Sequence, residues 1–532
     1  MHGSFFAVAR PRLSRLWVMA VLAALAPAVF ALVTNNIWED FFITYRCSVN
    51  LVQGHGLVYE VGRTIHVFTS PLGVLLPAGI SWVMHTSDPQ LIIGGFRLCA
   101  CIALMFAWRL MAGRVTGSVA LAMTTALWVL DGKLAAYSIN GMETAFLVLF
   151  AVMAWRAIVD ANTRLAGFAF GGLMWTRPDG FVYIAALVLA AWIFYRERRG
   201  DWTGWGRMIG GGLCIYAPWF FWAWWYYGSP VPHTILAKST IVPETNLLSA
   251  LESWPFRLFF GRVASDNAFM PAYFYFGGWP GALLIWSKAM TLGALIAACW
   301  SRCARPARVA GLAFIFGGLY LEITPQAPWY FPAWAILAYI AVGGLIAAAT
   351  ESAIATRRVG KALLCVAALL AVVPQGLIYL GESVQLREQQ KLIERGLRTT
   401  IGRDLHRMAT SPRDTVFLEP LGYIGYFSGL AMRDTPGLCA PEVVALRQSG
   451  RRSMGALAVA LKTDWVVLRR NEYRAMTGAE LIDFSNIYEY RGDYDARRQV
   501  EAVPFLPGRN FLRFDAHFLL WHLKPQATAH RQ

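Results

Sequence analysis

Acidic residues break into otherwise apolar sequence at Glu39 and Asp40, at Asp131, at Glu143 and at Asp179. Cations accompany them at Arg46, His55, His66, Arg97, Lys133, Arg177, His233 and Lys238. Charge at membrane depth is costly and usually faces a cavity. A carboxylate beside a basic, aromatic-lined cleft suits one reaction type: it takes the proton of an acceptor hydroxyl while the cations hold an anionic lipid phosphate. Phosphate is already a good leaving group, so glycosyl transfer from it needs one base and charge stabilisation, not the two carboxylates of a hydrolase. For Asp131 and Asp179 the competing reading is a cap at a helix end, and for Lys238 an ammonium snorkelling to lipid headgroups. The Glu39-Asp40 pair fits a cap less well, lying between an apolar segment and Phe41-Phe-Ile-Thr-Tyr45-Arg46.

The elements that must carry these residues are membrane helices. Of 532 residues 57% are hydrophobic and 15% charged, with 22 Trp, 20 Tyr and 32 Phe, and mean hydropathy is +0.44. Soluble domains average about 45–50% apolar and about 25% charged. This composition excludes a disordered chain, a disulfide scaffold and a nucleic-acid-binding globule. The net charge of +16 sits mostly between apolar blocks: residues 1–381 hold 26 Lys+Arg against 15 Asp+Glu, and residues 382–532 hold 22 against 17. Basic loops of this kind orient membrane helices and provide no surface for nucleic acid. Cys99-x-Cys101 has no second ligand pair and apolar neighbours, so no metal site is read there.

Spans are expected at 13–33, 91–111, 117–131, 143–159, 207–227, 274–300, 309–325, 329–350 and 361–381. The first resembles a signal peptide but lacks a small-x-small cleavage site, so it is read as an uncleaved span. The apolar block 165–195 is broken at Arg177-Pro178-Asp179-Gly180, which predicts two short helices. With 68–84 re-entrant, the count is about eleven. This arrangement gathers Arg109, Arg114, Arg156 and Arg164 with Arg10/Arg12/Arg15, Arg196/Arg198/Arg199, Arg302/Arg305/Arg308 and Arg357/Arg358/Lys361 on the cytoplasmic side. The acidic residues then collect outside, and 382–532 follows them as a small α/β domain: a helix over 383–410 and strands at Thr415–Glu419, Asp464–Leu468 and Phe511–Phe514. The fold expected is a multi-pass α-helical bundle, residues 1–381 with a first outer loop over about 34–90, plus a C-terminal extracytoplasmic α/β domain, 382–532.

A series of short motifs resembles membrane glycosyltransferases of the GT-C fold, and most closely the AftB-type terminal arabinofuranosyltransferases. They are Glu39-Asp40-Phe-Phe-Ile-Thr-Tyr45-Arg46, Asn50-Leu-Val-Gln-Gly-His55-Gly-Leu-Val-Tyr59, Phe68-Thr-Ser-Pro-Leu72, Asn140-Gly-Met-Glu-Thr144, Thr176-Arg-Pro-Asp-Gly180 and Gly228-Ser-Pro-Val-Pro-His-Thr-Ile-Leu-Ala-Lys238. Gly422-Tyr-Ile-Gly-Tyr-Phe-Ser-Gly429, with Asp434 and Gly437-Leu438, resembles the family's outer-domain signature. The resemblance implies that the acidic pair holds the catalytic base, with Asp40 chosen over Glu39, and that Lys238 binds the donor phosphate, with Arg177 and His233 as further ligands. Tyr45, Arg46, His55, His66, Arg97, Asp131, Glu143 and Asp179 are candidate cavity residues. Glu39 departs from the family's usual Asp-Asp, and His233 stands where Asn is usual.

The resemblance further implies an inverting transferase with a polyprenyl-phosphate sugar donor, arabinofuranose in the best-known cases. Mannose, aminoarabinose or another pentose stays open. The acceptor would be a glycan, lipid or protein of the cell envelope, and the setting the extracytoplasmic face of a bacterial plasma membrane. No cofactor is required by this reading, and a divalent cation stays open. A transporter would explain spans and buried charges, but such folds show internal repeats, and none is visible. A non-catalytic scaffold leaves the gathered carboxylates without a purpose.

Overall fold

The computed structural model describes residues 13–241, 247–324, 326–352 and 358–525. Arg10, Arg12 and Arg357, expected at the basic end, lie outside the described residues. Among the described residues the bundle and its loops hold sixteen helices: α1 (Leu13–Thr34), α2 (Glu39–Val52), α3 (Pro71–Met84), α4 (Pro89–Ala112), α5 (Ser118–Val129), α6 (Gly132–Ile139), α7 (Thr144–Val159) and α8 (Thr163–Thr176), then α9 (Gly180–Phe194), α10 (Trp202–Tyr227), α11 (His233–Ser239), α12 (Leu247–Phe260), α13 (Ala282–Cys299), α14 (Arg305–Leu321), α15 (Pro332–Thr350) and α16 (Arg358–Glu388). Among the described residues five helical segments are long and apolar enough to cross a membrane, and the pair α5–α6, bent by 55°, makes a sixth by the same measure.

Local signals set the helix ends. Ser70 accepts from the Gly73 amide and Pro71 follows at the first helical position; Asp131, Asn162 and Asp201 cap α6, α8 and α10 in the same way. The block 165–195 is indeed two helices, α8 and α9, parted at Arg177-Pro178-Asp179. α8 and α10 meet through small residues: a Cβ on Gly167 would lie 3.1 Å from the Gly211 Cα, a backbone approach typical of packing within membranes.

The bundle has two chemically distinct ends. At one, Asp160 pairs with both Arg114 and Arg156, Arg198 donates to the Ile158 carbonyl, and Arg305 meets Glu197 at 2.8 Å. The 113–117, 160–162 and 196–201 connections therefore share that end. At the other lie α2, α3, α6, α11, the 261–281 loop, the 322–331 turn and the C-terminal domain.

That domain grows out of α16 without a break. One helical rod of 51 residues runs from Arg358 to Met408; a π-helical stretch, Gln389–Arg398, leads into α17 (Thr399–Met408). The expected boundary at 381/382 falls inside this rod. There follow β1 (Thr415–Leu418), α18 (Leu421–Ser428), β2 (Ala431–Asp434), α19 (Pro441–Gln448), α20 (Met454–Leu461), β3 (Trp465–Arg469), α21 (Arg470–Arg474), α22 (Gly478–Ile487), β4 (Tyr488–Asp495), α23 (Arg497–Ala502), α24 (Arg509–Phe514) and β5 (His517–Leu523). The sheet order is β2-β1-β3-β5-β4, with β1 parallel to both β2 and β3 and the last two pairings antiparallel. Residues 511–514, expected as a strand, are helical. Gly508, in the left-handed region at φ 63°, opens that short helix, and it brings Phe511 to stack on Tyr273 at 3.8 Å. Four residues of mixed polarity do not distinguish the two periods; the strand that follows is β5, which lies between β3 and β4.

Candidate active site

A cleft opens at the domain-bearing end of the bundle. Asp40 and Thr44 of α2 line it, with 67–70 before α3, the Gly141–Glu143 turn, Arg177, Thr234 and Lys238 of α11, Trp329 and Tyr330, and Leu438 from the C-terminal domain. Local structure explains each placement. Glu39 and Asp40 occupy the first turn of α2, where acidic side chains suit the helix dipole. Thr234 and Lys238 are four apart on α11 and so share one face. Gly141, at φ 98°, turns the chain tightly over Phe41, and a Cβ there would enter the Phe41 ring. Gly141→Ala is expected to cost about 2–4 kcal/mol from strain and overpacking combined, read as a lower melting temperature in detergent.

The two cations of the cleft differ in how they are held. Arg177 is committed: it lies 3.2 Å from Glu143 and 2.8 Å from Asp179, over the Tyr330 ring at 4.1 Å. Lys238 makes no ion pair or side-chain hydrogen bond among the described residues, and the Thr234 hydroxyl on the same face is buried with no partner there. Asp40 likewise has no side-chain hydrogen bond among them. Its carboxyl is raised to about 6, chiefly by burial; Lys238 opposes that, Glu143 and Glu419 add to it, and Arg398 opposes it more weakly. A proton acceptor that titrates just below neutrality therefore faces an uncommitted ammonium.

Glu39 is turned elsewhere. One carboxylate oxygen accepts from the Gly422 amide at 2.9 Å and the other pairs with Arg398 at 2.7 Å, so the two acids serve different environments. Among the described residues the one grouping of His, Cys and carboxylate atoms with metal-like spacing is Asp493, Asp495 and His517, where β4 pairs with β5, and none of them lines the cleft.

Several candidates do not reach the cleft. Arg46 donates to the carbonyls of Gly425, Gly429 and Leu430 and lies over Tyr59. Tyr45 is buried in a stack with Phe41. His55 is exposed on the loop. Arg97 ties Asn35, Asn36 and Ile139 together. Asp131 caps α6 and accepts from Tyr339, the capping alternative. His66 stacks on Tyr227 at 4.3 Å, and burial drops its pKa to about 3, so it is neutral. Its carbonyl accepts from the His233 amide, placing both histidines at the root of α11 behind Lys238. Asp179 acts through Arg177. Sequence reasoning passed over Thr234, Trp329 and Tyr330 and read Leu438 only as part of the outer-domain signature; of these Thr234 was findable, by its i, i+4 relation to Lys238.

Known structures share the fold. The archaeal oligosaccharyltransferase AglB from Archaeoglobus fulgidus, solved with an inhibitory peptide and a dolichol-phosphate, aligns over 90% of this chain and 73% of its own, with TM-score 0.55 and 11% identity. ArnT from Cupriavidus metallidurans bound to undecaprenyl phosphate aligns over 87% and 94%, with TM-score 0.52 and 14% identity. The fold is GT-C-like. Residues 384–515 of this GT-C-like chain match a domain of unknown function, DUF8728. No curated protein matches by sequence.

Proposed function

We propose that the protein is an inverting glycosyltransferase of the AftB type, moving a sugar, arabinofuranose in the first instance, from a polyprenyl-phosphate donor to a hydroxyl of an envelope acceptor. The observation that carries the reading is the free Asp40 carboxylate facing the uncommitted Lys238 across a cleft roofed by the C-terminal domain. The lipid phosphates in the AglB and ArnT structures support the class of donor.

In this mechanism the donor phosphate sits against Lys238 and Thr234. Asp40 accepts the proton of the acceptor hydroxyl as its oxygen bonds to the anomeric carbon. The bond from that carbon to the phosphate oxygen breaks, and its electron pair leaves with the polyprenyl phosphate. Charge growing on the phosphate is met by the ammonium, which needs no reorganisation at that moment. Attack comes from the face away from the leaving group and inverts the anomeric centre, as the family resemblance implies. Arg177, neutralised by Glu143 and Asp179, shapes the cleft floor.

The test is product formation by purified protein in nanodiscs, given decaprenyl-phospho-arabinofuranose and an alkyl glycoside. A glycosylated product of inverted configuration, lost in Asp40→Asn, is expected. Mannosyl and aminoarabinosyl lipid phosphates in the same assay decide the sugar. No product with any of them overturns the reading.

The reading includes an eleven-span topology in a bacterial plasma membrane, with domains 1–381 and 382–532 and the cleft outside. Single cysteines at 177–180 should then label from outside the cell and those at 160–164 only after permeabilisation. The reverse pattern would invert the topology.

A further inference from the structure

Among the described residues Asp40 makes no side-chain hydrogen bond or ion pair that would aim it, so its direction is set by the backbone of α2. That backbone is gripped from one place. The π-helical stretch brings Gln390, Glu394 and Arg398 onto one face toward residues 36–39; such stretches are rare and gather at functional sites. Gln390 accepts from the Ile37 amide at 3.0 Å and donates to the Tyr423 hydroxyl, which itself donates to the Ile37 carbonyl at 3.0 Å. Arg398 meets Glu39 at 2.7 Å, Glu394 at 3.0 Å and Asp515 at 2.8 Å. Gly422 closes the other side: its amide donates to Glu39, and a side chain there would have no room against the Glu39 backbone.

Gln390, Glu394, Arg398, Tyr423 and Asp515 are all buried. A buried ionic network is a poor source of stability, because desolvation offsets most of the attraction. What it supplies is one orientation. We infer that Arg398 and Gln390 are positioning residues, by which the C-terminal domain holds the first turn of α2 so that Asp40 faces the cleft. This rests on Asp40 being the base. It makes the domain a working part of the site and not only its roof.

The groups facing Asp40 are Lys238 from α11, Glu143 before α7, Glu419 after β1, Arg398 from the π-helical stretch, and the phenols of Tyr137 and Tyr273. Among them Lys238 and, more weakly, Arg398 favour the ionised carboxylate.

The experiment uses the full chain with Arg398→Met, Arg398→Lys and Gln390→Ala. In Arg398→Met, kcat is expected to fall about 10- to 100-fold, the loss that follows from a small misplacement of a reacting group. KM for the polyprenyl-phospho-sugar should stay within about twofold, and the acid limb of the rate profile should move to higher pH. Arg398→Lys should recover part of kcat and of the limb. Independently of activity, hydrogen exchange at amides 36–40 should quicken at least about tenfold in Arg398→Met and Gln390→Ala, with β1 and β3 unchanged. Should Arg398→Met fail to fold, Arg398→Lys and Gln390→Ala decide by the same readings. Unchanged exchange at 36–40 overturns the inference, as does a wild-type kcat with an unmoved acid limb. Full activity in Asp40→Asn would instead overturn the choice of base, leaving the exchange result to judge the clamp.

Discussion

Asp40→Asn is expected to fold and insert like the wild type and to lose about 100- to 10,000-fold of its transfer rate, the usual cost of removing a general base. The substitution keeps volume and shape, and no hydrogen bond among the described residues depends on the charged oxygen. The pH dependence gives a second handle. Asp40 titrates at about 6 in the free cleft, and a base works only when ionised. The rate should therefore be level above about pH 7, half-maximal near pH 6 and fall about tenfold per unit well below that, because each further unit there removes nine-tenths of the remaining ionised form. Asp40→Asn should lack that limb. Glu39→Gln should behave differently, since Glu39 faces Arg398 and Gly422 and not the cleft: a lower melting temperature with the limb still present. A limb that vanishes in Glu39→Gln and persists in Asp40→Asn would exchange the two roles.

Lys238→Ala is the second variant with a large expected effect, and it separates donor binding from chemistry. If the ammonium holds the donor phosphate, its loss raises KM for the polyprenyl-phospho-sugar and also lowers kcat, because charge grows on the phosphate as the bond breaks. A combined loss of about 100-fold or more in kcat/KM is expected, with acceptor KM little changed. Lys238→Arg should keep part of the rate, as charge survives while geometry shifts. Thr234→Val should show a weaker version of the same pattern, near the loss of one hydrogen bond, about 1 kcal/mol or about fivefold. Unchanged donor kinetics in Lys238→Ala would leave the snorkelling alternative standing. Arg177 is a poor substitute for that role, because two carboxylates already neutralise it.

Much of this was legible before any coordinates. Hydropathy and loop charge decide that helices form and which turns share an end, since apolar length and basic flanks act locally. The Arg177-Pro178-Asp179 break and the caps at Ser70, Asp131 and Asn162 are equally local. Motif order brought Asp40, Glu143, Arg177 and Lys238 into one list of candidates, and those four line one cleft. Tertiary structure alone decided how the charges are paired. Arg46, Arg97, Arg177 and Lys238 are alike as letters, yet the first two are consumed by backbone carbonyls, the third by two carboxylates, and only the fourth is uncommitted among the described residues. Glu39 and Asp40, adjacent in the chain, part because consecutive side chains on a helix point about 100° apart, one toward Arg398, 359 positions later, and one into the cleft. Spacing along a chain fixes which face a residue occupies, but what lies opposite that face depends on segments hundreds of residues away.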